Sequence, residues 1–159
     1  MIREILRART SLNACPFCSV DENRQRVLVE RKRVYIMPSN PMLVPHHLLV
    51  IPKRHVELPS ELAPEERHEL FETVIEFQEK IRATSRGMGC DVRQNCRPFL
   101  PQSDYKVDHV HYHLLQRQFG DELYQKTQIF EKDIFDKNRL SKREMTQEIE
   151  ALKSLLSLA

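Results

Sequence analysis

The stretch Asp108-His109-Val110-His111-Tyr112-His113-Leu114-Leu115-Gln116-Arg117 constrains this chain more than any other. Its histidines alternate with Val110, Tyr112 and Leu114, which is the period of a β-strand with one buried face. His109, His111 and His113 then point to one side, at successive separations of about 6.7 Å, and the apolar residues to the other. A single histidine on a strand is ordinarily a satisfied polar side chain. Three in register need partners or carry a desolvation cost, so packing alone does not explain the set. One face belongs to a core and the other to chemistry.

A chain of 159 residues, 40% of them hydrophobic, supports one domain with a real core and some trimmings. The formal charge of +2 is a small difference between 25 basic and 23 acidic residues, so no overall field advertises nucleic acid or an anionic membrane. Residues 2–9 read as a short amphipathic helix rather than an export signal, and no later stretch approaches a membrane span. A cytoplasmic location is the expectation. In that compartment Cys15-Pro16-Phe17-Cys18 points to metal or redox chemistry rather than to a disulfide. A redox pair of this kind opens a helix after a strand, whereas here a proline-containing knuckle follows an N-terminal segment. Metal is the better reading, and a closed tetrahedral site needs two more ligands from histidines or the remaining cysteines.

Taken in order, Arg26 to Glu30 and Arg33 to Met37 read as two strands around a charged turn. The basic cluster there lacks interleaved aromatics and reads as a solvated hairpin edge, not a nucleic-acid patch. A loop, Pro38 to Pro45, ends at His46-His47, and the apolar run Leu48-Leu49-Val50-Ile51-Pro52 suits a central strand. Between Ser60 and Arg86, Leu70, Phe71, Val74, Phe77 and Ile81 recur at helical spacing, with Pro64 tolerable in a first turn and Gly87 and Gly89 beyond the end. That is one long amphipathic helix lying on a sheet, with His68 on its solvent side. Asp91 to Arg97 reads as a strand and Pro98 to Lys106 as a loop. After Arg117 apolar residues are sparse until Ser141-Lys142-Arg143-Glu144, a capping box that opens a terminal helix over about 142–158.

The run His109-Val110-His111-Tyr112-His113-Leu114-Leu115 resembles the motif of the histidine triad superfamily of nucleotide hydrolases and transferases. The resemblance extends to Cys15-Pro16-Phe17-Cys18 and to His47-Leu48-Leu49-Val50-Ile51-Pro52-Lys53-Arg54-His55, over roughly Asn13 to Gly120. It implies an α+β fold, an antiparallel sheet with one long helix, with residues 1–120 as the catalytic domain and 121–159 as a charged extension ending in a helix. It also implies a homodimer and a structural zinc on Cys15, Cys18, His55 and His109. His111 would be the nucleophile, attacking the α-phosphorus of a small nucleotide substrate, with His113 and His47 beside the phosphate. Asn95 falls where relatives place a nucleotide-contacting asparagine, and His46 where many have glycine.

Two departures bear on the substrate. Relatives carry Gln-Ser or Gln-Thr shortly before the triad, where this chain has Tyr105 and Lys106; Gln102 and Ser103 lie just upstream, as if displaced by an insertion. Lys106 there would neutralise an extra phosphate. The acidic residue that grips ribose is replaced by the neighbourhood of Ser39 and Asn40. Phosphoramidates, acyl-adenylates and dinucleoside polyphosphates all remain open as substrates. Other readings are a catalytic metal held directly by His109, His111 and His113, and a nucleotide-binding or scaffold protein with little turnover.

Overall fold

A computed structural model describes residues 15–20, 24, 26–84, 89–100, 103 and 106–157. The helix expected over residues 2–9, and Gln102 and Tyr105, lie outside them. The chain divides into two compact units, Met1–Phe119 and Gly120–Ala159.

In the first unit, strands β1 (Val29–Glu30), β2 (Val34–Pro38), β3 (Leu48–Pro52), β4 (Gly89–Gln94) and β5 (Tyr112–Arg117) form one antiparallel sheet in the order β1-β2-β3-β5-β4. The expected α+β architecture is present. Helix α1 (Pro64–Thr84) lies on one face, because Leu70, Val74, Phe77 and Ile81 return to the same side of a 3.6-residue period. They pack with Val34, Ile36, Val50, Val110 and Leu114. The opposite face is covered by a second cluster in which Phe17 and Val20 meet Met37, Leu49 and Ile51. Strand β3 is therefore buried on both sides, which is why its apolar run is continuous.

Several boundaries differ from those the sequence suggests. Strand β1 has only two residues. The Asp91–Arg97 strand is shifted to Gly89–Gln94, which leaves Asn95 and Arg97 beyond the ladder. The first turn before α1 is a separate 3-10 turn, Pro59–Glu61. Regular pairing in the histidine segment begins only at Tyr112. Ahead of it Val110 N–H reaches the Val56 carbonyl at 2.7 Å, His109 lies in a bend, and both His109 and His111 precede the ladder. The basic cluster is also less solvated than expected. Arg33 donates to Glu69 at 3.2 Å, and Arg31 pairs with Glu76 of α1, pinning the β1–β2 turn to the helix.

The second unit contains a π-helical turn (Tyr124–Gln128) running into α2 (Ile129–Lys137), and then α3 (Lys142–Leu155). Helix α2 is absent from the sequence reading, which saw only sparse apolar residues there. The capping box of α3 is present: the Ser141 and Glu144 side chains each accept from the other residue's backbone N–H. No described helix is long and apolar enough to cross a membrane.

Candidate active site and metal centre

Two groups of side chains meet on the face of the sheet opposite α1. The first is Cys15, Cys18, His55 and His109, whose ligand atoms all lie within 4.8 Å of one another. The knuckle is closed by Cys18 N–H donating to the Cys15 carbonyl at 2.8 Å, which turns both sulfurs the same way. His109 Nδ1 lies 3.3 Å from Cys15 Sγ and 3.7 Å from Cys18 Sγ, and His55 Nδ1 lies 3.4 Å from Cys18 Sγ. A tetrahedral centre with sulfurs at about 2.3 Å and nitrogens at about 2.0 Å has N···S edges of about 3.5 Å. The four residues thus fit a closed Cys₂His₂ metal site.

The surroundings prepare the ligands. His109 is 2% exposed, and its Nε2–H donates to the Pro52 carbonyl at 2.9 Å, leaving the Nδ1 lone pair toward the sulfurs. Burial holds the His109 imidazole neutral, down to about 4, and the charges of His55 and His111 push the same way. Partial desolvation, with the Cys15 thiol alongside, raises Cys18 to about 11. A cation among these groups would favour the thiolate forms.

The second group is His47, His111 and His113. His111 Nδ1 lies 2.6 Å from the His109 carbonyl. A carbonyl only accepts, so Nδ1 carries the proton and Nε2 keeps a free lone pair. Burial lowers the His111 pKa, which preserves that neutral form. His47 lies 1% exposed and is fixed from the loop: Leu43 N–H donates to its Nδ1 at 3.2 Å, so its proton is on Nε2. That Nε2–H donates to His113 Nδ1 at 2.9 Å. His113 in turn carries its proton on Nε2, opposite the bonded nitrogen. Burial and the charge of His111 depress both rings, His47 to about 4 and His113 to about 3, with Arg93 contributing to each. The site therefore presents a lone pair on His111 and an N–H on His113 with their rings 4.7 Å apart.

Phe17, 8% exposed, packs edge-on against both His109 and His111, at 5.8 and 5.1 Å between ring centres. The knuckle that brings the cysteines together thereby also braces the ring of His111.

A model of the HIT domain matches residues 20–120, more than half of the chain. The chain belongs to the HIT family. A solved structure of a hypothetical protein from Leishmania major is similar to this HIT chain at a TM-score of 0.61 and 18% identity, covering 92% of this chain and 98% of that one. A histidine triad nucleotide-binding protein from Candida albicans is similar at 0.55 and 19%, over 80% of this chain and all of the other. A HIT family hydrolase from Legionella pneumophila Philadelphia 1 is similar at 0.51 and 26%, over 68% and 97%.

Within the HIT domain, the remaining expected residues fall as follows. Ser39 is buried and its hydroxyl donates to the Pro41 carbonyl at 2.7 Å, while its N–H donates to the His47 carbonyl, so it borders the loop that carries His47. Asn40 and Asn95 are exposed, and Asn95 Oδ1 accepts from Arg97 Nη2 at 3.4 Å. Lys106 forms an ion pair with Asp108. The alternative reading, a metal shared by the three triad histidines, is not what the geometry offers. His109 turns its ligand nitrogen to the cysteines and His111 turns Nδ1 to a carbonyl. His46 adopts φ 58°, in the left-handed region that favours glycine. Sequence reasoning missed Phe17 and Arg93. The period-2 alternation around Asp91 was the available signal for Arg93, but its register opposite His113 is a property of the fold.

Proposed function

We propose that this HIT chain is a nucleotidyl hydrolase or transferase that cleaves at the α-phosphate of a nucleotide through a nucleotidyl-His111 intermediate. The observation that carries the reading is the hydrogen bond from His111 Nδ1 to the His109 carbonyl, which leaves Nε2 neutral and available beside the N–H of His113. Nε2 attacks the α-phosphorus, and the bond to the leaving group breaks with its electron pair going to that group. Water or another acceptor then attacks the same phosphorus; the P–N bond breaks and its pair returns to Nε2. His113, aligned by His47, hydrogen-bonds a phosphoryl oxygen as charge builds. Asn95, Ser39 and Asn40 border the nucleoside side. The names of two similar structures, a nucleotide-binding protein and a hydrolase, agree with this class.

Cys15, Cys18, His55 and His109 would hold a structural zinc, which when bound supplies folding energy and leaves no open coordination position. Residues 1–120 form the catalytic domain in this reading and 121–159 an extension. A homodimer completes it, since β4 is a sheet edge with no further strand beside it among the described residues. Neither nucleic acid nor membrane is a partner in this account.

The test is nucleoside monophosphate release from a phosphoramidate and from a dinucleoside polyphosphate, with and without orthophosphate, by wild type and His111→Ala. Release by wild type alone supports the nucleophile, and phosphate dependence separates phosphorylase from hydrolase. Tight binding of a nucleoside monophosphate with no release from any substrate would favour a binding protein.

A further inference from the structure

Helix α3 opens on its capping box and contains no buried residue. Its apolar side chains Met145, Ile149, Leu152 and, at the C-cap, Leu156 are spaced by four, three and four positions and stay 41% to 59% exposed. That spacing makes a narrow seam at two positions of a seven-residue repeat: Met145 and Leu152 take d, Ile149 and Leu156 take a. The residues flanking the seam carry direction. Thr146 and Lys153 fall at e, Glu148 and Leu155 at g. Among the described residues no cation pairs with Glu148. Lys153 reaches Glu150 of its own helix at 3.1 Å, an exposed pair worth little and readily exchanged.

We propose that α3 pairs in parallel with α3 of a second copy of this chain, the seam buried between the two helices and Glu148 and Lys153 fixing the direction. A β-branched residue at a with leucine at d, as in Ile149 and Leu152, favours two parallel strands. In a parallel pair each g side chain meets the next e side chain of the other helix, so Glu148 faces Lys153 of the second copy, and symmetry makes that contact twice. An antiparallel pair joins g to g and e to e instead. It would set Glu148 against Leu155 and Thr146 against Lys153, with no opposite charges in contact. The self-complementary charges therefore name the occupant of the seam and its orientation together. Fourteen residues are close to the shortest helix that is stable alone, so burial of the seam supplies what α3 lacks. The contact is independent of the His111 reading and of pairing at the β4 edge.

The experiment places Met145→Cys in the full, zinc-loaded chain, equilibrates it in a glutathione buffer, and maps the disulfides by peptide mass spectrometry. A bond between two copies of the same position is interchain by construction. Parallel helices bring the two substituted positions together, whereas antiparallel ones set each beside Leu156 of the other copy, about 16 Å along the axis. The symmetric disulfide should form far more readily than in Gln147→Cys, which lies on the outer face. Adding Lys153→Glu turns two attractive pairs into two repulsive ones and should lower the disulfide equilibrium constant about tenfold. The further change Glu148→Lys, which swaps the charges, should restore it. Three results would overturn the proposal: no more symmetric disulfide from Met145→Cys than from Gln147→Cys, mixed disulfides between Met145→Cys and Leu156→Cys chains in preference to symmetric ones, or a yield indifferent to Lys153→Glu. Any of them would leave the His111 reading and the β4 edge as they stand.

Discussion

His47 offers a quantitative test of how tightly the site is built. It is 1% exposed, accepts from Leu43 N–H and donates to His113, an arrangement that requires the neutral ring. Burial holds its pKa at about 4, against an ordinary value of 6.5. The folded state therefore resists a proton that the unfolded chain accepts. As pH falls from above 6.5 toward 4, stability contributed by the neutral ring is lost, and it is fully present only above 6.5. The full difference corresponds to about 3 kcal/mol, of which about 2 kcal/mol should be lost between pH 7 and pH 5. The perturbation is His47→Gln, which removes the titration and leaves an amide able to bond both neighbours. Urea unfolding of both proteins at intervals from pH 7 to 5 gives the assay. The wild type should lose about 2 kcal/mol more than the variant across that window. Parallel curves would refute the buried neutral ring, and a wild type that gained stability on acidification would reverse its sign.

Cys15→Ser should lower bound zinc and thermal stability together, and a chelator should do the same to wild type; an unaltered zinc stoichiometry in the variant would refute the ligand set. His46→Gly should raise stability by about 1 kcal/mol, because the left-handed φ of 58° is unfavourable for histidine. A lower urea midpoint would show that the His46 side chain makes a contact worth more than that strain. Leu114→Ala should cost about 3 kcal/mol, since Leu114 is fully buried between α1 and the sheet. A change below about 1 kcal/mol would mean that the helix-to-sheet core is looser than its contacts indicate.

Much of the sheet was legible because its strands carry strong period-2 or continuous apolar patterns. Val50 and Leu114 were readable as core residues, and Leu70, Val74, Phe77 and Ile81 as the buried stripe of a helix. The approach of Cys15 and Cys18 to His55 and His109 was expected from resemblance, since separations of 37 to 94 positions carry no local signal. The tautomers were not legible. They depend on the carbonyls of Pro52 and His109 and on Leu43 N–H, groups that every residue possesses and that only the fold aims. The pairing of Lys106 with Asp108 was equally out of reach, since a lysine in a loop reads only as available charge. Arg93 became part of the site through register, which a sequence of alternating polar residues leaves open. Helix α2 escaped notice because most of its apolar residues are exposed, with Phe130, Ile134 and Phe135 all above half exposure.

The central claim is the covalent intermediate on His111. Its most direct test is mass spectrometry of the full chain, mixed rapidly with a nucleotide substrate and quenched in base, where a phosphorus–nitrogen bond survives. The account predicts an added mass of one nucleotidyl group, mapped to the peptide at His111 and missing from His111→Ala. Turnover with no such adduct, or an adduct retained in His111→Ala, would contradict it.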